Sequence, residues 1–491
     1  AWVPVACVPV AGVAVWAACF TSSVMSAAES WALFSSRMKK YQPAPSATTS
    51  ATAATASLPT MPPNKNFTTH SPLAKCPHHH YRAVSGGKPA AAAIGYPPPV
   101  RRPLLLTLAL WSVGAVLLRS TLLVPQYCPA ITPAGAMEAS RSAATWIERN
   151  QLPDGSYVYE YRLSDNADLG GYNVVRHAGV TMSLYQLAAA GEPTVVPAAD
   201  AGLRWMNLNL YRNNGWAALR DPSDGSVRLG ASALMLAGVM QRRFATGETT
   251  YDELARSLAR GLVALQLPDG AFLNRWDVTA NAPAPGERSK YATGEAFWAL
   301  TLMHRAFPGE GWDAPARLTA DYLSLHRDAV EDQKFPPWAD QWAAYGLGQM
   351  ATWPPEDQHI AYARSLAERF GLLIRVESQR RDTGWSEFVH GRQARAAGMG
   401  TWVEGLTSLH ALAVADPRLA DLEPKIRERI ACGAGMLASR QFSGAEAARY
   451  DAPARVEGAW FTGGITRMDD QQHALSGLLN ASLILQGVKP E

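Results

Sequence analysis

No aspartate occurs before Asp154 in this chain of 491 residues, although aspartate is frequent after it. The first hundred residues are built instead from Ala, Pro, Val, Ser and Thr runs such as SATTSATAATAS. Such a stretch buries too little apolar surface to offset the entropy of ordering it, so residues 1–100 are expected to form a disordered leader. Val100 also suits a GTG start codon, which would make VRRPLLLTLALWSVGAVLL the N-terminus. Cysteine is scarce. Of the five, only Cys432 lies well inside the part with folded character, which argues against a disulfide scaffold. Cys76-Pro-His78-His79-His80 has metal-ligand types but no second ligand pair at a defined spacing, so no metal site is expected. A Walker loop, a Rossmann fingerprint, H-E-x-x-H and G-x-S-x-G are all missing, which argues against nucleotide, zinc-protease and esterase chemistry and implies no cofactor. A basic excess is missing as well. Setting aside seven basic residues and one acid in positions 1–100 leaves 38 basic against 41 acidic residues, so no nucleic-acid footprint exists in the folded part.

What is present is enough apolar material for a large core, 47% hydrophobic with 16 Trp. Residues 101–124 form one hydrophobic segment: Arg101-Arg102, then no charge from Pro103 to Leu118, then Arg119 and Leu122-Leu123-Val124. Two readings apply. It is a signal segment with Ala134-Gly135-Ala136 as an A-x-A cleavage site, or a transmembrane anchor through residues 103–124 in which Arg119 snorkels. Either one exports the C-terminal part, to the periplasmic or extracellular side, since the arginine pair favours a cytoplasmic N-terminus.

From about residue 130 to 491 the pattern changes to helices of two alternating kinds. One kind is rich in Arg and surface charge: 137–151, 198–212, 250–266, 314–329, 360–377 and 422–440. The other is small and apolar with a polar start: RHAGVTMSLYQLA, LGASALMLAGVM, TGEAFWALTLMH, ADQWAAYGLGQM, VEGLTSLHALAV and DQQHALSGLLNASLIL. Anchored at His177, Gly230, Glu295, Gln341, Glu404 and His473, the second kind recurs at steps of 53, 65, 46, 63 and 69 residues. A helix apolar all round must be buried all round, and one with a single stripe belongs outside. Six pairs therefore predict an all-α (α/α)6 toroid of six helical hairpins. The turns Gln151-Leu-Pro-Asp154-Gly155-Ser-Tyr157 and Gln266-Leu-Pro-Asp269-Gly270-Ala-Phe272 repeat nearly identically, and their Asp residues read as turn-formers.

This pairing resembles the six-hairpin glycosidase-like toroids over about residues 137–488, at the level of architecture. The Q-x-P-D-G-aromatic turns also resemble repeats of terpenoid cyclases, but the D-x-D-D proton donor of those enzymes is missing. Epimerases acting on N-acylhexosamines or uronates resemble the same toroid, some with histidines on inner helices.

In such a toroid the starts of the inner helices surround a funnel. Near them lie Tyr172, Asn173, Arg176 and His177; Arg228; Tyr291 and Glu295; Trp338, Asp340 and Gln341; Trp402 and Glu404; Arg467, Asp469, Asp470, Gln472 and His473. Aromatic rings to stack on sugar C–H faces, carboxyls for acid and base work and arginines for an anionic group suit an oligosaccharide or polysaccharide. Glu295, Glu404, Asp470 and His177 are the candidate catalytic residues; Tyr172, Asn173, Arg176, Arg228, Tyr291, Asp340, Gln341, Trp402, Arg467 and His473, with Trp385 and Trp460 as sugar platforms, are candidate binding residues. The expected function is an exported glycoside hydrolase of an envelope or extracellular glycan. A sugar epimerase or lyase, a non-catalytic glycan-binding scaffold and a terpenoid cyclase-like enzyme are the alternatives.

Overall fold

The computed structural model describes residues 101–332 and 338–487, so the expectations for residues 1–100, including Cys76–His80, lie outside the described residues. Helix α1 spans Arg101–Thr121. Six hairpins follow, each an outer helix and then an inner one. They are α2 (Pro133–Arg149) with α3 (Val174–Ala189), α4 (Val196–Leu208) with α5 (Leu229–Thr246), and α6 (Asp252–Val263) with α7 (Ala292–Ala306). Then come α8 (Asp313–Asp321) with α9 (Gln341–Gln349), α10 (Asp357–Ser378) with α12 (Ala396–Ala415), between which lies the short α11 (Gly384–His390), and α13 (Glu423–Ser439) with α14 (Met468–Gln486).

Local chemistry starts and stops these helices where the sequence has caps. Thr132 accepts from the Gly135 N–H with Pro133 in the first turn, Asn173 caps α3 and Asp340 caps α9. Gly247 and Gly487 end α5 and α14 in the left-handed conformation. The inner helices are buried nearly all round; in α5 every residue from Leu229 to Arg242 is buried. The ring closes where α14 meets α3: Ser476 Oγ donates to Gln186 Oε1 at 2.8 Å, and Ser183 Oγ to the Gln472 carbonyl at 3.4 Å. Strand β1 (Glu160–Arg162) pairs antiparallel with β2 (Ile465–Arg467), joining the two ends of the array a second time. The expectation of six closed hairpins holds.

The connections from outer to inner helices are long and carry every strand among the described residues, in three small sheets. These connections make the funnel face. Two are the repeated turns: Asp154 Oδ1 accepts from the Ser156 N–H at 2.9 Å and Asp269 Oδ1 from the Ala271 N–H at 3.1 Å. Gly155 and Gly270 adopt φ of +92° and +88°, and the following Tyr157 and Phe272 fold back and are buried. Both aspartates form turns, as their sequence suggested.

One expectation about the N-terminal side is corrected. Cys128 is bonded to Cys432 across 304 residues, so a disulfide does staple this fold. Sequence reading missed it because the partners are far apart and lie on different elements. Ala134-Gly135-Ala136 sits inside the first turn of α2, with Ala136 fully buried, so cleavage there would cut the first outer helix. The strap before α2 also belongs to the toroid, since the Tyr127 N–H donates to the Ser378 carbonyl at 2.7 Å and Gln379 Nε2 to the Val124 carbonyl at 2.9 Å. Helix α1 itself is long and apolar enough to cross a membrane over Leu104–Thr121, with none of that stretch buried.

Replacing Cys128 by Ser is expected to lower the unfolding free energy by about 2–4 kcal/mol. A chain starting at residue 130 should melt below one starting at residue 123, because only the longer chain keeps the staple and strap. Equal melting temperatures would show that neither contributes.

Candidate active site

A cavity of about 610 Å3 opens on the funnel face, lined from the inner-helix starts. Helix α3 and its cap supply Asn173 and Arg176; the α5 entry supplies Arg228 and Gly230; α7 supplies Glu295 with Tyr291 just before it. Trp338, Gln341 and Trp342 come from the α9 entry, Thr401 and Trp402 from α12, and Arg467, Asp469, Gln472 and His473 from β2 and α14. Nine of the sixteen expected site residues therefore share one pocket.

Glu295 is 4% exposed, set against the backbone of Gly230, where an added Cβ would lie 2.2 Å from its Oε2. Burial, with the nearby Asp340 charge adding to it, pushes the Glu295 carboxyl up to about 8, so it holds its proton at neutral pH. Asp469 is held the opposite way. Burial would raise it, but the hydrogen bonds from Arg467, at 2.5 and 2.8 Å, and the Arg176 guanidinium at 3.1 Å outweigh that and keep it below the usual carboxylate range. One cavity thus presents a protonated carboxylic acid and a carboxylate.

His473 faces the same cavity, with Nδ1 at 2.8 Å from Glu404 Oε2. Burial pulls its pKa down, but the Glu404 charge and hydrogen bond more than reverse this, so the ring stands above its ordinary value. Glu404 does not line the cavity. It lies fully buried behind His473, and also accepts from the Tyr345 hydroxyl at 3.3 Å. The Gln472 amide nitrogen, beside the cavity, has no protein acceptor among the described residues. Trp402, Trp338 and Trp342 supply flat apolar faces, and Tyr291 stands edge-on to Trp338 at 5.3 Å.

Other expected residues lie elsewhere. His177 is fully buried and points outward between the helix layers: Nε2 meets the Gly202 carbonyl of α4 at 3.0 Å, Nδ1 meets the Tyr172 hydroxyl at 2.6 Å, and the ring stacks on Trp205. Burial drives its pKa down to about 4, so it is neutral. Asp470 turns away from the cavity to pair with Arg395 and to accept from the Ala397 N–H at 3.1 Å. Asp340 is buried under Arg327 at 2.5 Å. Trp460 is buried, its indole N–H donating to the Leu437 carbonyl at 2.8 Å, and Trp385 stands on the rim, outside the cavity lining. Of Arg176, His177, Asp470 and His473, only Arg176 and His473 line the cavity, and Asp469 does so in place of Asp470. A signal for Asp469 was available: it lies three and four residues before Gln472 and His473, so all three share a helical face, whereas Asp470 has such a spacing to His473 alone.

No known family profile matches the chain, and no curated protein matches its sequence. Solved structures match its fold. An inactive variant of the α-1,6-mannanase of a Salegentibacter species, in complex with α-1,6-mannotetrose, superposes with a TM-score of 0.50 at 12% identity, over 71% of this chain and 99% of that one. The chain folds as a closed toroid of six helical hairpins, as that enzyme does. The family 76 α-mannanase of Bacteroides thetaiotaomicron gives 0.49 at 9% identity, covering 72% and 96%. An unsaturated glucuronyl hydrolase specific for heparin gives 0.48 at 10%, covering 73% and 99%.

The buried acid of this toroid has a measurable signature. Folded Glu295 keeps its proton to about pH 8, whereas unfolded it releases it near 4.5. Unfolding therefore frees a proton across that window, and wild-type stability falls as pH rises through it. Glu295→Gln has no such loss. Its melting temperature minus that of the wild type should grow from pH 4.5 to 8 and then level off. Parallel profiles would show that Glu295 ionises normally.

Proposed function

We propose that the protein is a carbohydrate-active enzyme, a glycoside hydrolase in which Glu295 is the general acid and Asp469 the carboxylate that activates water or attacks the sugar. The observation that carries this reading is the opposite protonation of two carboxyls in one aromatic-walled cavity, which is the division of labour that glycosidic cleavage requires. Glu295 protonates the departing glycosidic oxygen, and Asp469 faces the developing oxocarbenium charge. Trp402 and Tyr291 offer stacking faces for the sugar rings, and Arg176, Arg228 and Arg467 suit a glycan with an anionic group. The mannotetrose complex of the Salegentibacter enzyme, with the same fold, supports an oligosaccharide as ligand.

Incubation with a panel of neutral and acidic oligosaccharides, read by mass spectrometry for water-added fragments, tests the reading. Glu295→Gln and Asp469→Asn should each lose about a hundredfold or more in kcat while keeping the fold. Activity should fall as pH rises through about 8, where Glu295 loses its proton, and should fall in acid as Asp469 gains one. Wild-type turnover in both variants would remove the assignment.

The His473–Glu404 pair favours a second reading, an epimerase in which His473 moves a proton at a sugar carbon. Its sign would be deuterium incorporated from solvent into recovered sugar without cleavage, lost in His473→Ala. Cleavage without incorporation excludes it.

A further inference from the structure

The connection from α10 to α12 holds apolar side chains that the cavity does not use. Helix α11 presents Trp385, 56% exposed, and Phe388, 84% exposed, with ring centroids 6.0 Å apart. One exposed aromatic is ordinary on a protein surface, but this pair has a neighbourhood. Leu372 and Val376, on one face at the end of α10, are exposed, and so is Tyr127 on the strap. The strap is fixed beside α11. Arg381 donates to the Pro125 carbonyl at 2.6 Å and lies over the Tyr127 ring at 5.6 Å, while Gln379 holds Val124.

This is where the apolar helix joins the toroid. Only Leu122 and Leu123, both exposed, separate the end of α1 at Thr121 from Val124, so that end lies within about 11 Å of the contact. A bilayer that accepts Leu104–Thr121 is thereby brought to α11. The patch also has the chemistry of an interface: tryptophan and phenylalanine with arginines able to reach headgroup phosphates. Of the four arginines in residues 379–395, Arg380 pairs with Glu377 and Arg395 with Asp470, which leaves Arg381 and the exposed Arg392, beside Glu387, to face headgroups. One observation argues that α1 stays attached: the A-x-A motif is locked in α2, so a cut there would sever the first outer helix. The same connection forms part of the funnel rim, since it runs into Ala397 and Gly398 of the cavity wall.

We propose that α1 is retained as a membrane span and that the rim around Trp385 and Phe388 lies against the same bilayer. The funnel then opens beside the membrane and takes a glycan carried at the bilayer surface; this last step rests on the glycan reading above, whereas the docking does not.

The test uses the full chain in nanodiscs of phosphatidylcholine and phosphatidylglycerol, with acyl chains unbrominated or brominated near the glycerol. Wild type minus Trp385→Phe isolates the emission of Trp385. That difference should lose most of its intensity in the brominated discs, and Phe388→Ser should weaken the loss. Unchanged difference emission in brominated discs overturns the proposal, as does a mature N-terminus beyond Thr121 in the native protein. Quenching needs no turnover. Quenching without activity on any glycan leaves docking standing and overturns the functional reading, and glycan cleavage without quenching does the reverse. For substrate presentation, Phe388→Ser should slow cleavage of a lipid-linked glycan and leave the released glycan unaffected; equal effects on both overturn that part.

Discussion

Six helices buried on every side can surround an axis only if neighbouring backbones come close, and that closeness governs the rest of this molecule. Every junction of the inner ring has a glycine at the contact. Gly179 meets Gln472, Gly238 meets Met182, Gly230 meets Glu295, Gly294 meets Asp340, Gly348 meets Ser408, and Gly400 meets the backbone of His473. At Gly400 a Cβ would fall 2.3 Å from the His473 carbonyl carbon, so no larger residue fits without parting α12 from α14. Five of the six facing residues are polar. Space left by missing side chains on one helix is thus taken up by functional side chains on the next, and the ring and the site are one packing solution.

That arrangement sorts the acids at the helix starts by their neighbours. Asp340 and Asp470 each face a guanidinium and a helix N-terminus, and Glu404 faces an imidazole, so their charges are compensated away from the cavity wall. Glu295 faces the backbone of a glycine and a neighbouring acid, so it stays protonated. Asp469, one residue from Asp470, is turned into the cavity between two arginines. Chemically similar side chains acquire different states because the rotation of each helix about its axis decides what each one meets.

The same rotation explains what sequence could and could not reveal. Alternation of Arg-rich and Ala/Gly-rich segments made the hairpins countable, because burial on all sides demands that composition. Polar residues near the inner starts were correctly placed on the funnel end, but a position along the chain does not state an azimuth. His177 and Asp470 were therefore chosen where Asp469 lines the wall. Periodicity within α14 contained that distinction, whereas the outward turn of His177 toward Gly202 depends on a contact with another helix. The Cys128–Cys432 bond was beyond reach for a further reason: it depends on the path of an irregular strap along the outside of the ring.

The pairing of β1 with β2 and of α3 with α14 has a consequence for synthesis on the ribosome. Residues 174–189 are made early and present a face of small apolar side chains, yet the helix that covers one flank of it is the last to be completed. Hairpins can form in order as the chain emerges, but the circle cannot shut until about residue 486 is free. Until then the first inner helix stands as one lip of an open arc, exposed to aggregation.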